Sequence, residues 1–235
     1  MDLHEFEYLG PKHYLYLSYD VKDRADGSCM IDQSVIEKKD GRILKRFDVS
    51  EYLQSGYSLG GNHTVAFRGR ECDEVAHINS VQRVGLKTWL IGLGRGTIVS
   101  WDSVARKVNW IFGRFGSHFE IGPSVELKQT HTPRLFENEN RLVVFENAEG
   151  PVDVRIIDFK LDIKSKRVVA SKVLTVEGLQ STHSGSVEAR RSVYSIGAGS
   201  REKGEWDFLE YDGGRRTFAI RFSKASRSYR VYRSL

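Results

Sequence analysis

The chain has 235 residues, 40% of them hydrophobic and 29% charged, enough apolar side chain to bury a core in one large domain or two small ones. No stretch approaches the ~20 apolar residues of a membrane helix, so the sequence reads as soluble and globular with no membrane partner. The net charge of +5 is uneven, since residues 190–235 hold 11 Lys/Arg against 5 Asp/Glu. A basic end of this kind can mark a nucleic-acid site, but its arginines alternate with Tyr and Phe, as on a strand with a solvated face. No nucleic-acid partner is expected.

In chain order, short apolar and aromatic runs bounded by Gly, Asn and Asp fall at residues 14–19, 34–37, 42–47, 89–92, 97–101, 108–112, 142–145, 154–161, 167–173, 193–196, 206–211, 217–222 and 229–232. A polar insert at 21–33 separates the first two. The one helical candidate is 49–54, with Ser50 as its cap. Many short strands with turn signals predict an all-β protein, with sandwich, barrel and propeller still open. Cys29 and Cys72 allow at most one bridge, and neither has zinc-site spacing. Gly92-Leu93-Gly94-Arg95-Gly96 fits neither a dinucleotide loop nor a P-loop and reads as a turn between strands. His13 and His118 read as surface residues, Trp101, Trp110 and Trp206 as packing, and Asn62-His63-Thr64 as a glycosylation sequon that matters only in a secreted eukaryotic context.

Four histidines recur ahead of strands: His4, His77, His131 and His183, at spacings of 73, 54 and 52 residues, the first lengthened by the 21–33 insert. A unit of about 50 residues holding up to four strands has the size of a propeller blade. Residues in register in successive blades point toward one axis, so the four histidines are expected to converge; a repeated structural corner explains the same periodicity.

Several segments carry a family resemblance. Asp73-Glu74-Val75-Ala76-His77-Ile78-Asn79-Ser80-Val81, then Val108-Asn109-Trp110-Ile111-Phe112-Gly113, Gln129-Thr130-His131-Thr132, Leu142-Val143-Val144-Phe145-Glu146-Asn147 and Val154-Arg155-Ile156-Ile157-Asp158-Phe159, resemble in order the D-x-x-H-x-N-S-V, W-x-x-G, Q-H, F-D-N and S-R elements of the arylsulfotransferase family. Residues 34–48 are similar to its V-I-E hairpin and 228–233 to its closing Y-R-x-Y-R strand. The resemblance spans roughly 4–233. It implies a six-bladed propeller, of which this length supplies four to five blades in a single domain over 1–235, N-terminally short or in an open ring. Such a ring would expose an edge strand near 14–19 and self-associate.

The resemblance further implies transfer of a sulfuryl group from a phenolic sulfate ester to a phenol through a sulfohistidine, with no nucleotide cofactor and no metal. His77, His131 and Arg155 match family site positions. His183 is the candidate nucleophile, with Ser186 in that place under an alternative alignment; His4 and Asn79 are candidate substrate-binding residues. His77, His131, His183 and Arg155 are expected in one cavity within about 10 Å, the span of a sulfate ringed by hydrogen bonds. The chain departs from the family at Val154, Glu146 and Pro133. Family members in bacteria are exported, though Met1–Phe6 shows no secretory signal. The alternative is a propeller without transferase activity that binds a small anion or a protein partner.

Overall fold

The computed structural model describes residues 6–54, 63–122, 125–136, 138, 140–147, 152–203 and 206–222. Its contacts divide the chain into two units, Met1–His118 and Phe119–Leu235.

The first unit opens with a meander of β1 (Phe6–Gly10), β2 (His13–Asp23), β3 (Cys29–Lys39) and β4 (Arg42–Asp48), paired antiparallel in chain order. Alternation along β2 puts Leu15, Leu17 and Tyr19 in the core and leaves Tyr14, Tyr16 and Ser18 half-buried on the other face, the two-residue period of a pleated strand. Helix α1 (Val49–Gln54) follows, and β5 (His63–Phe67) and β6 (Arg70–Glu74) come next among the described residues. The helix falls where the sequence predicts it. It starts two residues earlier than a Ser50 cap allows, directly after Asp48, whose carboxylate accepts from Ser34 and Arg46 at 2.6 Å each.

The 73-residue first spacing has a different origin from the one expected. Residues 21–33 form no loose insert: Val21, Lys22 and Asp23 pair with Ile31, Met30 and Cys29, so most of that stretch is hairpin, closed by a turn in which Arg24 N–H donates to Ser28 O at 2.9 Å. The added length also includes the β5–β6 hairpin, which joins the sheet through a short parallel pairing of Met30 and Ile31 with Asp73 and Glu74. A disulfide between Cys29 and Cys72 fastens the two hairpins together.

A second meander follows in the same unit: β7 (Ile78–Val84), β8 (Thr88–Leu93), β9 (Thr97–Asp102) and β10 (Lys107–Gly113). Leu15, Leu17, Val35, Phe47, Ile78, Trp89, Ile91, Val99 and Ile111 build one core with the disulfide; each such apolar side chain stabilises by about 1.5–3 kcal/mol on full burial. Trp101 and Trp110 are buried, as expected of packing residues.

The second unit repeats the pattern twice, with β11 (Thr130–Phe136), β12 (Arg141–Glu146), β13 (Arg155–Asp162) and β14 (Arg167–Thr175), then β16 (Ser186–Arg190), β17 (Val193–Gly197), β19 (Phe208–Asp212) and β20 (Arg215–Ile220); β15 (Gln180–His183) pairs with β18 (Ser200–Lys203) as a separate ribbon. Val143, Phe145, Ile156, Val187, Tyr194, Ile196 and Leu209 are central to its core. The chain is thus all-β and built from four-stranded antiparallel meanders, the blade unit of a propeller. The described meanders start at Phe6, Ile78, Thr130 and Ser186, each within three residues of the histidine register. The closing strand expected at 229–232 lies outside the described residues.

Candidate functional site

In the first unit one histidine is held by a connected set of polar groups. His77 stands in the link between β6 and β7, with Nδ1 3.0 Å from Oε1 of Glu74, the last residue of β6. A carboxylate at that distance accepts only, so the ring hydrogen sits on Nδ1 and the lone pair of the neutral ring on Nε2. Glu74 is buried, its side chain 6% exposed against 33% for His77. Glu74 Oε1 also accepts from Gln33 Nε2 at 2.8 Å, and Gln33 Oε1 accepts from Ile78 N–H at 3.1 Å. Tyr19 donates to the carbonyl of Ile78 and sets its ring edge-on to the imidazole, 6.2 Å between centroids. The ring is therefore oriented from β2, β3 and β6 together.

Opposite lies the turn between β8 and β9, read correctly as a turn. Gly94 N–H donates to the carbonyl of His77 at 2.6 Å. A Cβ at Gly94 would stand 3.0 Å from His77 Cδ2 and 3.1 Å from Asn79 Nδ2, so both candidate side chains lie against this backbone. Asn79 is buried, and its Oδ1 accepts from Ser80 Oγ at 3.2 Å. On the far side of the turn Arg114 N–H donates to Gly96 O at 2.8 Å. The Arg95 guanidinium is held below its usual range first by burial and then by the charge of Arg114. Arg95, on a turn packed against a histidine, and Arg114, just after β10, are cations of the kind that pairs with an oxyanion.

In the second unit, Thr130, Glu146 and Arg155 stand opposite one another across β11, β12 and β13, while His131 stands opposite Phe145 and Ile156. Because side chains alternate along a strand, this register assigns Arg155 and His131 to opposite faces of the sheet. His131 is buried. Arg155 Nη2 donates to Glu126 O at 3.3 Å and lies 3.9 Å from Glu146 Oε1. Glu146 accepts from Lys128 and Gln129 N–H at 2.6 and 3.2 Å. Asn147 donates to the carbonyls of Ser181 and Ser184 at 2.9 and 2.8 Å, tying the end of β12 to the segment that carries His183. The backbone of His183 pairs with Ser200 in β15; its side chain, and all of His4, lie outside the described residues. Ser186 opens β16 and is buried.

The remaining histidines divide. His118 is exposed, as expected. His13 is not the surface residue predicted: its Nε2 lies 2.8 Å from Oε1 of the buried Glu37, which also pairs with Lys45 at 3.4 Å. Among the described residues no group of three or more His, Cys, Asp or Glu is placed to hold a metal ion, and no helix is long and apolar enough to cross a membrane.

Glu74, Gln33, Tyr19 and Arg95 escape a reading of the sequence alone. Glu74 stands three residues before His77, which is a usable signal, whereas Gln33 and Tyr19 reach the histidine only through the pairing of β3 with β2 and β6.

No family model matches the chain, and no curated protein matches it. Among solved structures, the β-propeller domain of Cps50 (Swd1) from Myceliophteria thermophila is similar over 87% of this chain and 73% of that one, with 11% identity and a TM-score of 0.40. A likeness at that level adds nothing to what the meanders show by themselves.

Proposed function

We propose that the protein moves a sulfuryl group between phenols in the manner of the arylsulfotransferases it resembles, with His77 as the acid and base that handles the phenolic proton. The observation that carries this reading is the Glu74–His77 pair: a carboxylate on Nδ1 fixes the tautomer and turns Nε2 outward as the atom that exchanges a proton, as in hydrolytic triads. Sulfuryl transfer resembles phosphoryl transfer in its loose, charge-dispersed transition state, so it needs placed cations and a place for one proton. The cycle starts with His77 as the imidazolium: in the first half-reaction the sulfur–oxygen bond to the donor phenol breaks, a bond from sulfur to the nucleophile forms, and His77 delivers its Nε2 proton to the departing phenolate, which leaves the ring neutral with its lone pair on Nε2. The second half-reaction runs in reverse with the acceptor, whose proton returns to His77. Positioned acid–base catalysis of this kind contributes roughly 10²–10⁴ in rate. Arg95 and Arg114 supply charge for the sulfuryl oxygens. The resemblance makes His183 the nucleophile and has His131 and Arg155 bind the sulfuryl oxygens. The Cys29–Cys72 disulfide is in keeping with an exported protein, since such bonds persist in oxidising compartments.

A second reading, a propeller that binds an anion or a protein without catalysis, is favoured by the second unit. There Arg155 is engaged by Glu146 and Glu126, and the strand register sets it on the opposite face from His131.

The test is nitrophenolate release from 4-nitrophenyl sulfate with phenol as acceptor, by wild type and by His77→Ala, His183→Ala, Arg155→Ala and Arg95→Gln. Release that needs phenol and falls with His77→Ala supports the transferase. Folded wild type without any release supports the binding module.

A further inference from the structure

The face of the first meander turned away from its core carries aromatic rings and lysines that the sulfuryl-transfer reading does not use. Phe6 on β1 and Tyr14, Tyr16 and Ser18 on β2 line a cavity of about 520 Å³ together with Lys12, Lys38 and Gly41. This is ample for one small aromatic molecule, since ligand sites run from roughly 300 to 1,000 Å³. Phe6 is 46% exposed, a large apolar surface that an ordinary core would cover. Phe6 and Tyr14 have ring centroids 5.2 Å apart with planes at 36°, and Tyr8 stands 6.1 Å from Tyr14 at 48°. Rings at such distances pack on one another, so together they make one aromatic wall of the cavity, against which a planar ring can lie edge-to-face or offset.

The cationic end of the cleft is fixed by backbone. Lys12 sits in the β1–β2 turn at φ 53°, and Asp40 and Gly41 in the β3–β4 turn at φ 48° and 81°. Asp40 N–H donates to Lys12 O at 2.9 Å, locking one turn to the other. Lys38 stands opposite Tyr14 across the β2–β3 pairing. Lys12 and Lys38 are thus placed at the same end of an aromatic cleft. Of the acids on these strands, Asp32 pairs with Lys22 and Asp48 with Arg46 at 2.6 Å each, Glu37 is buried with His13 and Lys45, Asp20 accepts from Ser18 at 3.2 Å, and Asp40 is the acid of the turn itself.

We propose that this cleft is a binding site for an aromatic anion, a planar ring bearing a sulfonate, phosphate or carboxylate, with the ring against Phe6, Tyr14 and Tyr16 and the anionic group at Lys12 and Lys38. Rings alone would take a neutral aromatic equally well, and lysines alone would take any anion. Their combination selects a molecule that is both. The site stands on the opposite face of β2 from Tyr19 and His77, so it is independent of the transfer reading.

The test is titration of the whole chain with 2-naphthalenesulfonate at low salt, followed by calorimetry, with 2-naphthol and inorganic sulfate as the neutral and ring-free arms. The proposal expects saturable binding, weakened at least about fivefold by Tyr14→Ala and by Lys12→Met/Lys38→Met, with 2-naphthol binding at least about fivefold more weakly than the sulfonate to wild type and as well as it to the double variant. These side chains are at the surface, and unchanged circular dichroism shows that the variants fold. No saturation with the sulfonate, equal affinity in wild type and variants, or sulfate binding as tightly as the aryl sulfonate would each overturn it. Loss of transfer activity in His77→Ala leaves this binding untouched, so the two ideas fail separately.

Discussion

Glu74 Oε1 lies 3.0 Å from Nδ1 of His77 and 2.8 Å from Nε2 of Gln33, so one buried carboxylate oxygen serves both a strand of the first meander and the histidine that leads into the second. Replacing Gln33 by Leu removes the donor to Glu74 and the acceptor for Ile78 N–H together. Buried groups left without partners cost about 1–3 kcal/mol each. Glu74 keeps His77 while Ile78 N–H loses this acceptor, so Gln33→Leu should lower unfolding free energy in urea by about 1–3 kcal/mol, and a loss within error of zero would show that the network does not hold the β6–β7 link.

The Cys29–Cys72 bridge spans a sequence separation of 43. Closing a loop of that size is worth about 4 kcal/mol on the chain-entropy account. Cys29→Ala/Cys72→Ala should lose most of this in denaturant unfolding, and dithiothreitol should destabilise wild type but leave the variant unchanged. Because Glu74 follows Cys72 by two residues on the same strand, reduction should also slow nitrophenolate release. Equal midpoints for oxidised and reduced protein would contradict the prediction.

Gly113 has φ +118°, and a Cβ there would come within 1.9 Å of the carbonyl oxygen of Gly96. Backbone on both sides cannot move aside as a side chain could, so Gly113→Ala should cost more than about 2 kcal/mol. Gly27 has φ +82° with open space around its Cα hydrogen, so Gly27→Ala should cost only the conformational strain, about 1–2 kcal/mol. Thermal melts of the two variants should keep that order.

Burial, with its bond to Asp158, pushes the Tyr194 phenol up to about 12; its hydroxyl donates to Asp158 Oδ2 at 2.5 Å, beside Arg141 at 2.7 Å. The folded state therefore keeps the proton that the unfolded chain releases near 10. Tyr194 contributes stability that is fully present below about pH 10 and lost as pH rises through about 12. Tyr194→Phe should flatten the fall in unfolding free energy between pH 9 and 12, and parallel curves for the two proteins would contradict this.

The strands legible in the sequence are those with continuous apolar runs, such as Trp89-Leu90-Ile91 and Val143-Val144-Phe145, because they are buried on both faces. The first strands of all four meanders escape that reading, as do β5 and β6. Residues 78–84 carry Asn79, Ser80, Gln82 and Arg83, residues 130–136 carry Thr132, Pro133 and Arg134, and residues 186–190 carry Glu188 and Arg190. Their polar groups are satisfied by partners that only the fold brings up: Thr132 Oγ1 accepts from Val187 N–H at 3.0 Å and Arg134 pairs with Glu188 at 2.9 Å. What marked those strands was the histidine register beside them. The candidate site was legible as far as His77 and Asn79. Its supporting groups were not, since Tyr19, Gln33 and Arg95 arrive through strand pairing and a turn, with no local spacing to reveal them. His13 was misread for the same reason, its buried partner Glu37 standing 24 residues away.

The central claim, that Glu74 sets His77 for proton transfer during movement of a sulfuryl group, is tested most directly by steady-state transfer from 4-nitrophenyl sulfate to phenol in wild type and Glu74→Gln. The amide keeps the size of the side chain and a carbonyl for Gln33, so the fold should hold, but it no longer offers His77 a charged acceptor. The account predicts a kcat at least about tenfold lower with little change in KM, the mark of an interaction that matters in the transition state. A kcat equal to that of wild type, or no transfer by folded wild type, would contradict it.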